Sequence, residues 1–140
     1  MVSPLTDIGD KIVSLKANQE SSSNRIIRLT DIAYAIYMSP STFSKVIHIG
    51  KQHIRPSYQF IVTIVCFFEC EKSILRELEL MLIDEWGGTM QIGLGTVRAV
   101  DALMDDMPDI LKLPYDERLN QINARLEQIF PDFKGIAYIF

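Results

Sequence analysis

The chain has 140 residues, 48% of them hydrophobic, and a net charge of −4. That suits one domain of ordinary size with a packed core and excludes general disorder. The longest apolar run, Phe60 to Phe68, falls far short of the roughly 20 residues of a membrane span, and the opening MVSPLTDIGDK lacks a basic-then-apolar leader, so a cytoplasmic protein is expected.

The apolar period is helical nearly everywhere, which predicts an all-α fold. A first helix is expected from about Asp7 to Leu15, with Ile8, Ile12 and Leu15 on one face, and the run NQESSSN (Asn18 to Asn24) reads as a polar loop. A second helix starts at Thr30, whose hydroxyl is suited to cap the first turn, with Asp31 at the positive dipole end. It continues through Ile32, Ala33 and Ile36. Ser39 is a good N-cap and Pro40 suits a first helical position, so a third helix is predicted from Pro40 to about His48, ended by Gly50. Phe43, Val46 and Ile47 point inward in that helix, leaving Ser41, Ser44, Lys45 and His48 outward. After Arg55-Pro56-Ser57 a fourth helix, Tyr58 to Phe68, is apolar on most sides and therefore central. A fifth, capped by Ser73, runs to Trp86 and stops at Gly87-Gly88. A sixth runs from about Thr96 to Met107, stopped by Pro108, and a seventh from Tyr115 to Phe130, between Pro114 and Pro131.

Charge is divided along the chain. Residues 1–72 carry eight basic and six acidic side chains, a net +2, whereas residues 73–140 carry six and twelve, a net −6. Between Asp31 and Glu69 there is no acidic residue, while Lys45, Lys51 and Arg55 lie there with His48 and His53. A basic segment beside an acidic remainder is the pattern of an anion-binding module joined to another function.

Two helices joined by a tight turn, the second with a small polar outer face, describe a helix-turn-helix. The run LTDIAYAIYMSPSTFSKVIHIGK resembles the Cro- and lambda-repressor-like helix-turn-helix family. Ile32-Ala33 takes the place of that family's Leu-Ala pair, with Ala33 small where the helices cross; Met38 is the apolar turn residue. Ser39, Thr42, Phe43, Ser44, Lys45 and Val46 match the second helix. Gly50-Lys51 and Pro56-Ser57 also match, and the resemblance covers roughly Leu5 to Lys72. Three features depart from the pattern. Tyr37 stands where the family usually has Gly, although positive φ disfavours a bulky residue; Gly50 comes one residue late; and the loop between the first two helices is long. The order of parts, TFSKVIHIGK then SYQFIVTIV then a Glu-rich amphipathic helix, is similar to the N-terminal domain of arbitrium-type phage communication receptors. These resemblances imply a regulator of phage or prophage type. Its third helix would lie in the major groove of double-stranded DNA, with Ser41, Thr42, Ser44 and Lys45 at base edges. Thr30, Lys51 and Arg55 would meet phosphates, with His48 and Tyr58 as helpers.

Other chemistry has little support. Cys66 and Cys70 suit two buried thiols, and their spacing from His48 and His53 fits no usual zinc finger. Gly93-x-Gly95 lacks the third Gly and preceding strand of a phosphate loop, and Asp105, Asp106 and Asp109 read as a solvated helix end. No catalytic arrangement is evident, so neither an enzyme, a metal nor a cofactor is expected. In the acidic half, Tyr115, Leu119, Ile122, Leu126 and Ile129 form an a/d stripe over two heptads, which must pack on the rest of the chain or on a second copy. The apolar end from Gly135 to Phe140 is expected to be docked.

The expected organisation is a lambda-repressor-like helix-turn-helix domain over residues 1–86 and an acidic helical region over 87–140 for dimerisation or partner binding. The function expected first is sequence-specific DNA binding by a homodimeric transcriptional regulator. The second is a module that uses the same fold to hold a protein or peptide partner without touching DNA. One lysine and no Arg, Asn or Gln on the outer face of the third helix keeps the second alive.

Overall fold

A computed structural model of the protein describes residues 8–23, 28–39, 41, 56–86 and 92–136. Among these residues lie the helices α1 (Ile8–Ser23), α2 (Leu29–Ala35), α3 (Tyr58–Phe67), α4 (Lys72–Trp86), α5 (Leu94–Ile110) and α6 (Tyr115–Ile129), and there is no strand. The all-α expectation therefore holds, and no described helix is long and apolar enough to cross a membrane.

α3 is the central element. The Phe60 amide donates to the Ser57 hydroxyl at 3.0 Å, which starts the helix, and Phe60 to Phe68 are all buried. α2, α4, α5 and α6 all pack on it. Each covering helix contributes one apolar stripe: Ile8, Ile12 and Leu15 from α1; Leu75, Leu78 and Leu82 from α4; Val100, Leu103, Met104 and Met107 from α5; Leu119, Ile122 and Leu126 from α6. Burying a Leu or Ile side chain stabilises by about 1.5–3 kcal/mol, so these stripes hold the fold.

Four helices differ from the sequence expectations at their ends. α1 runs on to Ser23 through the stretch read as a loop. Gln19 extends the Ile8–Ile12–Leu15 stripe and is buried, and Lys16 pairs with Glu20 one turn on at 2.8 Å. α2 is not capped by Thr30. The Asp31 carboxylate accepts the Arg28 amide at 3.2 Å, and exposed Thr30 sits inside the first turn. Ser73 likewise lies within α4, its hydroxyl donating to Glu71. α5 starts at Leu94 and passes through Pro108 to Ile110. A proline there removes one helical donor, but buried Met107 and Ile110 hold the extra turn and the Leu111 amide donates to the Met107 carbonyl at 2.8 Å.

Described residues from both halves of the chain contribute to one hydrophobic core. After α6 the chain crosses back over α3. The Phe133 ring stacks on Phe67 with centroids 6.4 Å apart, and Phe130 meets Tyr58 edge-on at the same distance. Asn123 clasps the segment, accepting from the Ile136 amide at 2.9 Å and donating to the Ile136 carbonyl. Gly135 makes this return possible, since its φ of +87° is one that L side chains rarely adopt. Phe133 and Ile136 are buried, so the docked end is seen as far as it is described; residues 137–140 lie outside the described residues.

Candidate nucleic-acid interface

The candidate site is built on the end of α2. Ile32, Ala33 and Ala35 are buried, which fixes one face of this short helix on α3 and leaves Thr30 and Tyr34 outward. After Ile36 the chain turns sharply. Tyr37 has φ +59°, its amide donates to the Tyr34 carbonyl at 3.2 Å, and the Met38 amide donates to the Ala33 carbonyl at 2.8 Å. These two bonds form a Schellman motif, which satisfies carbonyls that a helix end leaves open. The left-handed conformation that this position takes in glycine is thus taken by a tyrosine, at a cost of roughly 1–2 kcal/mol.

The strained residue is held by a distant one. The ammonium of Lys134 lies 3.9 Å from the centroid of the Tyr37 ring, and the Lys134 amide donates to the Ala35 carbonyl at 2.7 Å. A cation over an exposed aromatic face contributes about 0.5–1 kcal/mol, which offsets part of the strain. Nothing in the local sequence marks this contact, because Lys134 arrives through the return of the chain after α6. The turn then leads to exposed Ser39 and to Ser41, which is helical and exposed; their hydroxyls are 3.4 Å apart. Tyr34 and Tyr37 are 59% and 65% exposed, so two large aromatic surfaces face solvent here.

Of the residues expected at DNA, Thr30, in the first turn of α2, and Ser41, just after the Tyr37 turn, are exposed. Thr42, Ser44, Lys45, His48, Lys51 and Arg55 lie outside the described residues, as does the helix expected from Pro40 to His48 beyond Ser41. Tyr58, expected as a helper, is buried in α3 against Phe130 and is removed from that role.

The stripe expected to serve a second copy is spent within the chain. Leu119, Ile122 and Leu126 are buried, and partly buried Tyr115 and Ile129 pack on the same core. Two arginines beside it also find partners in the chain: Arg118 pairs with Glu69 at 2.7 Å and Arg125 with Asp106 at 2.8 Å. In this fold the three central residues of the stripe are used within the chain.

Both cysteines are free thiols. Burial pushes the Cys66 thiol up to about 12 and the Cys70 thiol up to about 11, so neither is a ready nucleophile near neutral pH. Among the described residues no group of three or more His, Cys, Asp or Glu converges as a metal site would. Comparison of the chain with protein-family models, with curated proteins and with solved structures found no match.

Proposed function

We propose that the protein is a sequence-specific DNA-binding transcriptional regulator of phage or prophage type, reading DNA with the segment from Ser39 to His48. The observation that carries this reading is the turn at Tyr37. A short helix packed on its inner face by Ile32 and Ala33 ends in a left-handed Schellman turn, and Ser39 and helical Ser41 follow at once. A close pair of helices joined in this way is the unit that presents a second helix to the major groove. Ser41, Thr42, Ser44 and Lys45 would meet base edges, while Thr30, Lys51 and Arg55 would meet phosphates. The acidic half keeps the remainder of the molecule away from the duplex and leaves the basic segment to approach it. A homodimer would set two reading helices about 34 Å apart, paired through a surface other than the buried α6 stripe.

A second reading is favoured by one specific feature, the exposed aromatic pair Tyr34 and Tyr37 at the end of α2. Tyrosine is enriched at protein interfaces, so this face would hold a protein or peptide partner without DNA. Selection of bound sequences from random duplex DNA at two salt concentrations separates the two. DNA reading predicts an enriched motif, with binding to it that weakens as salt rises. A pool that stays random at both concentrations favours the protein partner.

A further inference from the structure

The turn at the end of α2 is flanked by a cation that comes from the other end of the chain. Lys134 reaches it through the return after α6, and its backbone is tied on every side. Phe133 before it stacks on Phe67, and Ile136 after it exchanges two hydrogen bonds with Asn123. Its own amide donates to the Ala35 carbonyl at 2.7 Å, in the last turn of α2. The side chain is placed as well, with the ammonium 3.9 Å from the centroid of the Tyr37 ring.

The charge of Lys134 is unspent. Other cations of the acidic half are taken up within it: Lys112 pairs with Asp109, Arg118 with Glu69 and Arg125 with Asp106. Lys134 is exposed, and among the described residues no carboxylate pairs with its ammonium, although Asp132 is exposed two residues before it. An ammonium carries three donors, and a ring takes its charge from one side only, so donors are left for an anion on the other. The ring also restricts a long side chain, so less freedom is lost when that anion binds.

The turn that Lys134 flanks leads straight to exposed Ser39 and helical Ser41, where the segment proposed to read DNA begins. A helix in the major groove has phosphates on both sides, and residues outside that helix contact them. We propose that Lys134, held on the Tyr37 ring, contacts a backbone phosphate beside the reading segment, a contact that rests on the DNA reading proposed for that segment. Lys134 is then a cation that the acidic half contributes to the interface. Glycine at the turn would relieve the strain but leave the ammonium without its ring. Phosphate contacts carry no sequence information, so Lys134 sets position and affinity and not base preference.

The test is fluorescence anisotropy with the full chain on a duplex recovered by selection and on a scrambled one, from about 50 to 200 mM salt. Lys134→Gln should weaken both duplexes alike and reduce the salt slope by about 0.9, so that the advantage of wild type shrinks about three- to fourfold over that range. Lys134→Arg keeps the charge and should keep the slope. Lys112→Gln makes the same change in net charge at a residue already paired with Asp109, and its slope should match wild type. A merely structural part for Lys134 would lower affinity without moving the slope. Salt-dependent wild-type binding with an unmoved slope in Lys134→Gln, or an equal change in Lys112→Gln, would overturn this inference and leave the DNA reading standing. Wild type that binds neither duplex in a salt-dependent way would overturn the DNA reading, and the phosphate contact with it.

Discussion

Two turns in this protein have the same backbone and opposite settings. The first follows α2, with Tyr37 at φ +59°; the second follows α3, with Glu69 at φ +57°. Both close as Schellman motifs: Met38 to Ala33 and Tyr37 to Tyr34 in one, Cys70 to Val65 and Glu69 to Cys66 in the other. Both place a non-glycine residue where glycine would be unstrained, and both hold it with a cation from the far end of the chain. Glu69 receives the Arg118 guanidinium at 2.7 Å in a pair only about one-fifth exposed, whereas Tyr37 receives the Lys134 ammonium on an open surface. At the inner turn the side chain is used for cohesion between α3 and α6. At the outer turn the strain keeps a large aromatic group in water, where packing gains little. A surface function for Tyr37 accounts for that choice better than stability does.

The comparison can be broken most severely through what holds the far end of the chain in place. Phe133→Ala removes the ring stacked on Phe67 and should cost about 3–5 kcal/mol, measured by urea denaturation. Because Phe133 precedes Lys134, the same change should free Tyr37 at the outer turn, visible as a shift of its ring signals by NMR. Tyr37 signals unchanged by the substitution would mean that Lys134 is held there by something else.

The inner turn alone is addressed by Arg118→Ala, which strips the cation from a half-buried carboxylate. The expected loss is about 1–3 kcal/mol, and a midpoint unmoved by the change would remove cohesion as the reason for Glu69. Lys134→Ala, the matching change at the outer turn, should cost no more than about 0.5–1 kcal/mol.

Alkali should sharpen the same contrast, because Cys66 and Cys70 both belong to the inner turn. In the folded chain burial pushes their thiols from an ordinary value near 9 up to about 12 and about 11. Above pH 9 the unfolded chain therefore loses protons that the folded chain keeps, and stability must fall as pH rises. Below pH 9 the thiols contribute no slope. Urea midpoints between pH 8 and 11 should decline from about pH 9 onward, and Cys66→Ala should flatten the decline. An equal slope in the variant would assign it to Tyr58, whose hydroxyl is also pushed up, from 10 to about 12.

The parts of this fold that were legible in the sequence are those decided within a few residues. The Ser57 cap, the unbroken apolar run of α3 and the Pro114 start of α6 each carry their cause locally. The continuation of α1 through NQESSS did not, because its support is a buried Gln19 and the Lys16–Glu20 pair rather than apolar residues. Pro108 misled for a similar reason: buried residues on either side of it outweigh one lost donor. The odd tyrosine at the turn was visible as a departure from the family pattern. The lysine that holds it was not, since a contact between α2 and the segment after α6 has no local signature. The α6 stripe was visible too, but an a/d spacing does not say whether it faces its own chain or another.

The smallest change in the set separates strain from use. Tyr37→Gly relieves the left-handed strain while loosening the unfolded chain and giving up the contact with Lys134, so the melting temperature should shift by only a degree or two. Any larger loss would show that the exposed ring supports the fold after all.

The proposed reading of DNA by the segment that follows this turn is tested most directly by fluorescence anisotropy on a duplex recovered by selection, with wild type, Lys45→Ala and Lys51→Ala titrated over a range of salt. The account predicts that wild-type affinity falls steeply with salt. Lys51→Ala should weaken all duplexes alike and reduce the slope by about one unit, whereas Lys45→Ala should weaken the selected duplex more than a scrambled one, by about 1–3 kcal/mol. Wild-type binding that ignores both salt and sequence, or two variants indistinguishable from wild type on every duplex, would contradict it.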